Sequence, residues 1–385
     1  MTLNVRIQKL LLQNYRNHEF LQLDSNKNII LIHGKNGSGK TNILESISLL
    51  DSPNGLKNAN FSEIVKKDFK GHLELFGVNL SLLTRGNISK IGLGLKRKNG
   101  NYGKILKIDG IQSDFSNLKE FLSIFWMVPK MSYLFQASPE DRRNFLDLMI
   151  SSIDILHKKR LQTYDKYRLE RIKILKKWND DSQNSWLDVI ESKMASIGIV
   201  ICDARRNFIK AINLNFEKKK EEMPVLEISM SGDLDLALRN FPAVEVEELF
   251  CENLRKNRQK DSLTGRTNFG ANKTDLIVVV KKKNIAANNF STGEQKIMVL
   301  AIVFSFLKYL KKINFTNIIF LLDDIFSYLD LKFINLVLEE LNNLRIQTWI
   351  TDVRADWIES VEFNAQVDKI NIDDNRFKVV NNLLY

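Results

Sequence analysis

A glycine-rich segment between Gly34 and Thr41 carries the residue types that bind phosphate. It fits the pattern G-x-x-x-x-G-K-[ST], follows the apolar run Ile29–Ile32 and precedes a predicted helix over Asn42–Leu50. Glycines let backbone N–H groups wrap around phosphate oxygens, and a helix N-terminus adds about half a positive charge. We therefore predict a nucleotide-binding phosphate loop formed by Gly34, Lys35, Asn36, Gly37, Ser38, Gly39, Lys40 and Thr41.

Two side chains of this loop have separate predicted roles. Lys40 is positioned to reach the terminal phosphates, where a cation offsets the charge of the transferred group. Thr41 is positioned to place its hydroxyl on Mg²⁺. ATP and Mg²⁺ are thus the expected cofactors, with Lys40 counted among the catalytic residues. The alternative is an ordinary glycine-rich turn between a strand and a helix.

A pair of acids ends the apolar run that begins at Ile318. We predict a buried strand here, with Asp323 in the Mg²⁺ shell and Asp324 as the catalytic residue that orients or activates the attacking water. The two acids also fit an ordinary strand end followed by helix-capping carboxylates.

The segment Phe290–Gln295 precedes a long apolar helix predicted over Ile297–Leu310. Ser291, Gly293 and Gln295 lie where a hydroxyl and backbone N–H groups meet phosphate at a helix N-terminus. On its own this segment also fits an ordinary N-cap with an acid in the first turn.

Taken in order, these motifs resemble the ATP-binding-cassette ATPases. The phosphate loop, the Ser291 segment and the double acid are followed by Ser327–Asp330, which is similar to the D-loop of that family. The resemblance implies that two nucleotides are sandwiched in a dimer, and that Ser291 of one copy contacts the terminal phosphate held by the other.

The spacing of the motifs resembles the DNA-maintenance branch of that family. Ser291 lies about 250 residues beyond Lys40, with a predicted helical arm between them. Several stretches resemble the RecF family of bacterial recombination mediators, and the short arm argues against relatives with long coiled coils. These stretches are Asn14–Asn17, Gly37–Glu45, Ser138–Asp147, Gly265–Leu276, Ser291–Gln295 and Leu321–Asp330.

The RecF resemblance implies an ATP-controlled homodimer that clamps duplex DNA near single-strand gaps. It also implies partners similar to RecO and RecR, with which recombinase is placed on the gap. Arg16 would contact the nucleotide, and Arg142 and Arg143 would belong to the ATPase lobe, although both also fit solvated surface arginines. The short side chain of Asp324 suits slow hydrolysis, and we expect a weak, DNA-stimulated ATPase.

Several positions differ from the pattern of that family. Asn272 replaces a histidine, Thr274 and Asp275 replace paired acids, and Lys130 replaces an acid. A switch histidine of the transporter type is also absent from the sequence after the predicted strand Gln347–Ile350.

The composition agrees with this interpretation but does not favour it over the alternatives. The 385 residues carry a net charge of +11, which favours a polyanionic partner, either nucleic acid or an acidic membrane face. Two cysteines, Cys202 and Cys251, are too few for a disulfide framework or a thiolate metal site. The N-terminal residues lack a signal-peptide cleavage site, so we expect a cytoplasmic protein without a membrane partner.

The predicted fold is α/β: a P-loop ATP-binding-cassette ATPase head with an antiparallel β lobe and a short α-helical, coiled-coil-like arm. Strands are predicted at Val5–Leu12, Phe20–Leu23, Gly71–Leu83, Gly92–Lys98 and Lys104–Ile108. The arm begins at the N-cap Ser138, runs to about Lys220 and breaks near Asn179–Ser182. Predicted domains are 1–137 (N-terminal ATPase lobe), 138–240 (arm) and 241–385 (C-terminal ATPase lobe).

Two other functions remain open from the residues alone. One is the ATPase subunit of a membrane transporter, or another cassette ATPase with a protein partner. The other is a nuclease on a cassette head, although the chain offers no separate cluster of acids and histidines for metals. The basic leg of the arm, Lys158–Lys177, fits either a solvated face or a track for phosphates.

Overall fold

The computed structural model describes residues 5–51, 54–65, 76–98, 101–177, 184–216, 223–315, 317–327, 329–354, 356–361 and 366–373. Contacts divide the chain into two compact units, one of residues 1–132 with 310–385 and the other of residues 133–309. The predicted three-part division of the chain stays a prediction.

The first unit contains a six-stranded antiparallel sheet with strand order β2-β1-β4-β5-β6-β7. Its strands are β1 (Arg6–Tyr15), β2 (His18–Asp24), β4 (Gly77–Thr84), β5 (Asn87–Lys98), β6 (Asn101–Ile108) and β7 (Ile111–Ser113). The predicted antiparallel sheet is confirmed, but β1 continues past Leu12 because Tyr15 pairs with His18 and is buried. Lys98 pairs with Asn101 across a hairpin, and residues 71–75 of the predicted strand Gly71–Leu83 lie outside the described residues.

The same unit contains a five-stranded parallel sheet with order β14-β3-β13-β12-β8. The strands β3, β8, β12 and β13 are almost wholly buried, as expected for continuous apolar runs in a parallel sheet. The elements of this part are β3 (Ile29–His33), β8 (Ser123–Met127), β12 (Ile318–Asp323), β13 (Gln347–Asp352), β14 (Val367–Asn371), α1 (Lys40–Ser48), α2 (Phe61–Ile64), α3 (Phe115–Lys119) and α11 (Leu331–Leu344). A 3-10 helix, Asp356–Ser360, precedes β14.

Gln347 connects the two sheets of the first unit. Its side-chain amide oxygen accepts from the backbone N–H of Ile7 at 2.8 Å, and its amide nitrogen donates to the carbonyl of Ile7 at 3.0 Å. Both groups are buried, so the pair of hydrogen bonds satisfies polar atoms that have no access to water. This contact fixes β1 against β13, the strand that lies between β3 and β12.

The second unit consists mainly of helices around a three-stranded antiparallel sheet of order β11-β10-β9. Its elements are α4 (Pro139–Ile153), α5 (Ile155–Leu175), α6 (Asn184–Asn213), β9 (Leu226–Ser231), α7 (Asp233–Asn240), α8 (Ala243–Lys256), α9 (Arg258–Thr264), β10 (Asp275–Val280), β11 (Ile285–Ala286) and α10 (Thr292–Lys312), whose last residues belong to the first unit. Short 3-10 helices cover Ala287–Asn289 and Pro129–Gln136, and the latter begins in the first unit. None of the helices in the described part of the chain has the length and apolarity that crossing a membrane requires.

The arm is an antiparallel pair formed by α5 and α6. Ser138 caps α4 as predicted, since its side chain accepts from the N–H of Asp141. The prediction of one uninterrupted helix from Ser138 to the break near residue 180 is wrong. Asp154 leaves the helical conformation, and its side chain caps α5 by accepting from the N–H of Leu156 at 2.9 Å. The described part of α6 ends at Asn213, earlier than expected, and the predicted break near residue 180 lies outside the described residues.

Arg171 belongs to the basic leg of the arm, yet its side chain is fully buried. The guanidinium binds Glu191 at 2.8 Å and Asp261 at 2.7 Å, and it donates to the carbonyl of Leu254 at 2.7 Å. A buried charge is tolerated when it is paired and hydrogen-bonded. The core of the arm therefore contains an ionic cluster that joins α5, α6 and α9.

Candidate nucleotide-binding site

The predicted phosphate loop connects β3 to α1 at the carboxyl edge of the parallel sheet. Gly34, Gly37 and Gly39 have φ values of 154°, 82° and 101°, in the region that favours glycine. Gly39 is also the N-cap of α1, and it brings no side-chain oxygen to cap the first N–H groups of the helix. The backbone thus offers an anion-binding loop next to a helix N-terminus.

Lys40 is buried at the start of α1, and its ammonium lies within the loop. The Nζ atom donates to the carbonyl of Gly34 at 2.7 Å and to that of Lys35 at 2.8 Å. Burial lowers the pKa of Lys40, while Asp373, Asp324, Asp352 and Asp323 act in the opposite direction.

Asp323 is the point at which three elements meet. Its Oδ1 atom accepts from the hydroxyl of Thr41 on α1 at 2.8 Å and from that of Thr351 on β13 at 2.7 Å. Burial raises the pKa of Asp323 above its ordinary value, although both hydroxyl hydrogen bonds lower it. The contact brings together two residues that the sequence assigned to one metal site.

The oxygen donors of Thr41 and Asp323 suit Mg²⁺, a hard cation that usually binds one or two carboxylates together with substrate phosphates and water. In the described residues, no group of three or more His, Cys, Asp and Glu side chains is arranged to hold a metal ion by itself. This donor set therefore fits a cation that is bound jointly with a nucleotide.

Asp324 adopts a left-handed backbone conformation, with φ of 47°, that non-glycine residues adopt at a cost of about 1 kcal/mol. Its N–H group donates to the carbonyl and to the hydroxyl of Thr351, both at 3.1 Å. The hydroxyl of Ser327 donates to its carboxylate. Because these contacts hold both ends of Asp324, its carboxylate is fixed beside that of Asp323.

Seven of the predicted site residues of the first unit line one open cleft of about 250 Å³. Its lining includes Asn36, Gly37, Gly39, Lys40, Thr41, Asp323 and Asp324, together with Asn42, Lys57, Thr351 and Val353. The two motifs are therefore neighbours in space although about 280 residues separate them in the sequence. The cleft thus brings a cationic loop and two acids together, a combination that suits phosphates bound with a cation.

Arg16 lies at the turn between β1 and β2, and Glu45 holds its guanidinium. The Nη2 atom donates to Glu45 at 2.6 Å, the Nε atom also donates to this carboxylate, and Nη1 donates to the carbonyl of Glu63 at 3.0 Å. The hydrogen bond to Glu45 raises the pKa of Arg16. The predicted contact between Arg16 and the nucleotide stays a prediction, since the structure shows only this pairing.

The turn between β1 and β2 lies directly against the phosphate loop. Asn17 donates to the carbonyl of Ser38 at 3.1 Å, and the His18 ring lies 3.2 Å from the carbonyl of Gly39. Burial lowers the pKa of His18, while its contact with the carbonyl of Gly39 raises it. A Cβ atom at Gly39 would lie 2.5 Å from the His18 ring and 2.6 Å from the Asn17 amide, so the turn leaves room only for glycine.

Sequence reasoning missed the roles of Glu45, Asn17, His18 and Thr351. For Thr351 a signal existed, because it lies near the end of a predicted strand and parallel strands bring their carboxyl ends to one edge. Glu45 and the turn offered no such signal, since their contacts depend on how the antiparallel sheet packs on α1.

Ser291 belongs to the second unit and caps α10. Its hydroxyl donates to Glu294 at 2.7 Å and its N–H at 3.0 Å, which lowers the pKa of Glu294 and forms a capping box. Ser291 and Gly293 are exposed, whereas Gln295 is buried and donates to the carbonyl of Phe290 at 2.7 Å. The ordinary N-cap is thus present, and a role in nucleotide binding stays a prediction.

Arg142 and Arg143 are not simply solvated. Arg142 binds Asp275 through two hydrogen bonds of 2.8 and 2.7 Å, and Arg143 donates to the carbonyl of Thr274 at 2.5 Å. Both arginines lie on α4, so they attach this helix to the start of β10. Two positions that differ from the RecF pattern, Thr274 and Asp275, therefore make structural contacts in the second unit.

The parallel sheet, the phosphate loop and the paired acids define a P-loop ATPase head of the ATP-binding-cassette type. A family model described as the RecF/RecN/SMC N terminal domain matches residues 6–375. The chain is 34% identical over 367 residues to the DNA replication and repair protein RecF of Rickettsia prowazekii, covering 95% of this chain and 99% of the relative. The RecF protein of Rickettsia typhi is also 34% identical over the same length.

Two solved structures of the recombination mediator protein RecF in the RecFOR pathway share the fold. The first, with ATPrS, has a TM-score of 0.80, 24% identity and coverage of 94% of this chain and 95% of that chain. The second, with ATP, has a TM-score of 0.76 and 23% identity, and the match covers 92% of this chain and 94% of that chain. The chain belongs to the RecF family, which decides against a transporter subunit.

Gly39→Ala tests whether the β1–β2 turn and the phosphate loop form one site. Alanine would keep a positive φ only at a cost of roughly 1–2 kcal/mol, and its methyl group would displace Asn17 and His18. We expect ATP affinity to fall roughly 5- to 30-fold in a fluorescent-nucleotide binding assay. Gly103→Ala, where a Cβ meets no atom within 4 Å, is the control, and equal affinity for the two variants would contradict the prediction.

Proposed function

We propose that this chain is an ATP-dependent DNA-binding protein of DNA replication and recombinational repair. The observation that carries the proposal is the convergence of Lys40, Thr41, Asp323 and Asp324 on one open cleft. The curated relatives, which match over 95% of the chain, are named DNA replication and repair proteins, and this supports the biological context.

In this proposal the cleft binds ATP together with Mg²⁺. The N–H groups of the loop and the ammonium of Lys40 bind the phosphates, while Thr41 and Asp323 hold the cation. Asp324 orients the attacking water. Since Asp324 is held by Ser327 and Thr351, its reach towards that water is limited, which supports slow hydrolysis that acts as a switch.

ATP is further proposed to join two copies of the chain. The support is the exposure of Ser291 and Gly293 at the N-terminus of α10, where a Cβ on Gly293 would meet no atom within 4 Å. The Ser291 hydroxyl would then donate to a phosphate held by the phosphate loop of a second copy, instead of to Glu294. We propose that Arg16 gives up its hydrogen bonds to Glu45 and contacts the nucleotide. Gln295 is proposed to support the Ser291 segment.

The dimer is proposed to clamp duplex DNA near single-strand gaps and to help load recombinase with partners similar to RecO and RecR. The net charge of +11 supports binding to a polyanion. Hydrolysis would return the protein to the open, DNA-free state, because closure depends on the terminal phosphate.

Asp324→Asn tests the hydrolytic role. The amide keeps the shape of the side chain but cannot act as a base, so we expect ATP to bind with nearly unchanged affinity while the dimer persists longer. Steady-state phosphate release should fall roughly 100-fold or more, the contribution typical of general-base catalysis. Asp24→Asn, at an exposed residue of β2, is the control. An unchanged hydrolysis rate would remove Asp324 from the mechanism.

Ser291→Arg tests the sandwich. The long side chain would occupy the space of the partner's phosphate, so ATP should still bind to the monomer but fail to produce dimers in analytical ultracentrifugation. Ser196→Arg, at an exposed position of α6, adds the same charge to the same unit and should dimerise normally. Normal ATP-driven dimerisation of Ser291→Arg would refute the sandwich.

A further inference from the structure

The second unit contains a cavity of about 480 Å³ that the proposed nucleotide chemistry does not use. It is bounded by α4, α5, α6 and the segment of residues 266–273. All of its lining residues belong to the second unit, whereas the phosphate loop and the paired acids belong to the first. The cavity is therefore a separate candidate site.

Basic residues predominate in this cavity. Its charged lining residues are Arg143, Arg168, Arg205, Arg266 and Lys273, with the acids Glu140, Asp147 and Asp165. Two of the acids are already paired: Arg205 binds both carboxylate oxygens of Asp147 at 2.9 and 2.7 Å, and Arg168 binds Asp165 at 2.9 Å. Only one acid, Glu140, remains for three further cations.

Arg143, Arg266 and Lys273 are those three cations. In the described part of the chain, none of the three has a carboxylate oxygen within the 4 Å of a salt bridge. Arg143 is half-buried and donates to the carbonyl of Thr274, and burial together with the nearby Arg205 lowers its pKa. A half-buried cation next to another cation is stabilised by an anion that enters the cavity.

The remaining lining indicates what kind of anion fits. Tyr164 is the one aromatic side chain among the described residues that line the cavity, and it is buried with its hydroxyl donating to Asn272 at 2.9 Å. No exposed ring is thus offered for stacking a base, while guanidinium groups bind phosphate oxygens well. The lining of the cavity therefore favours binding of the phosphate, and not of the base, of a nucleotide.

We propose that this cavity binds a phosphate group through Arg143, Arg266 and Lys273. The group belongs either to the backbone of a nucleic-acid strand or to a free polyphosphate, since both present the same oxygens. The nucleic-acid source rests on the proposed DNA-binding function, whereas phosphate binding by the cavity does not.

The test uses the full chain with Lys40→Ala, which removes phosphate binding by the phosphate loop. Arg266→Gln with Lys273→Gln removes two exposed cations of the cavity, and Lys210→Gln with Lys260→Gln removes two exposed cations elsewhere in the unit. Pyrophosphate binding is measured by calorimetry, and binding of a labelled single-stranded oligonucleotide by anisotropy. We expect the cavity variant to bind roughly tenfold more weakly, and the control less than twofold.

The two sources give different results. If pyrophosphate displaces the oligonucleotide from the control but not from the cavity variant, the cavity binds a backbone phosphate. If only pyrophosphate binding falls, the cavity binds a free polyphosphate. Equal affinities of the two variants for both probes would overturn the proposal. ATP-driven dimerisation of the cavity variant with Lys40 restored should be normal, so a failure of the proposed function is recognised separately.

Discussion

The hydrogen bonds to Asp323 are the contact on which the nucleotide site depends. One carboxylate oxygen accepts from Thr41 on α1 and from Thr351 on β13, while Asp323 itself ends β12. Three elements from distant parts of the sequence are thereby fixed at one edge of the sheet. The cost is a buried carboxylate with a raised pKa, and a bound cation would offset that cost. The side chain that holds these elements together is therefore also the one for which we propose a role in binding the cation.

The strongest features of the fold and the site were predictable because they are local. A buried strand, a glycine-rich turn and a helix must follow one another for the phosphate loop to form, and all three are readable between Ile29 and Leu50. Asp323 was readable for the same reason, since a continuous apolar run must end where the sheet ends. The parallel topology then brings the two motifs together, because carboxyl ends of parallel strands share one edge.

Contacts between elements that are distant in sequence were not predictable in the same way. Glu45 reads as a polar residue of an amphipathic helix, yet it is fully buried and holds Arg16. Arg171 reads as a residue of the basic leg of the arm, yet Glu191 and Asp261 enclose it. In both cases a charge is accommodated by partners whose positions depend on the tertiary packing, and periodicity carries no information about them. The α4–α5 boundary was missed because Asp154 caps a helix without a proline or glycine to mark it.

The central claim is that ATP controls DNA binding, and equilibrium binding of a gapped duplex tests it most directly. The measurement compares ATP, ADP and no nucleotide at two salt concentrations, with Lys40→Ala as the control. The account predicts tighter binding with ATP alone, weaker binding as salt rises because phosphate contacts release counterions, and no ATP effect in Lys40→Ala. Binding that is indifferent to nucleotide, or absent under every condition, would contradict it.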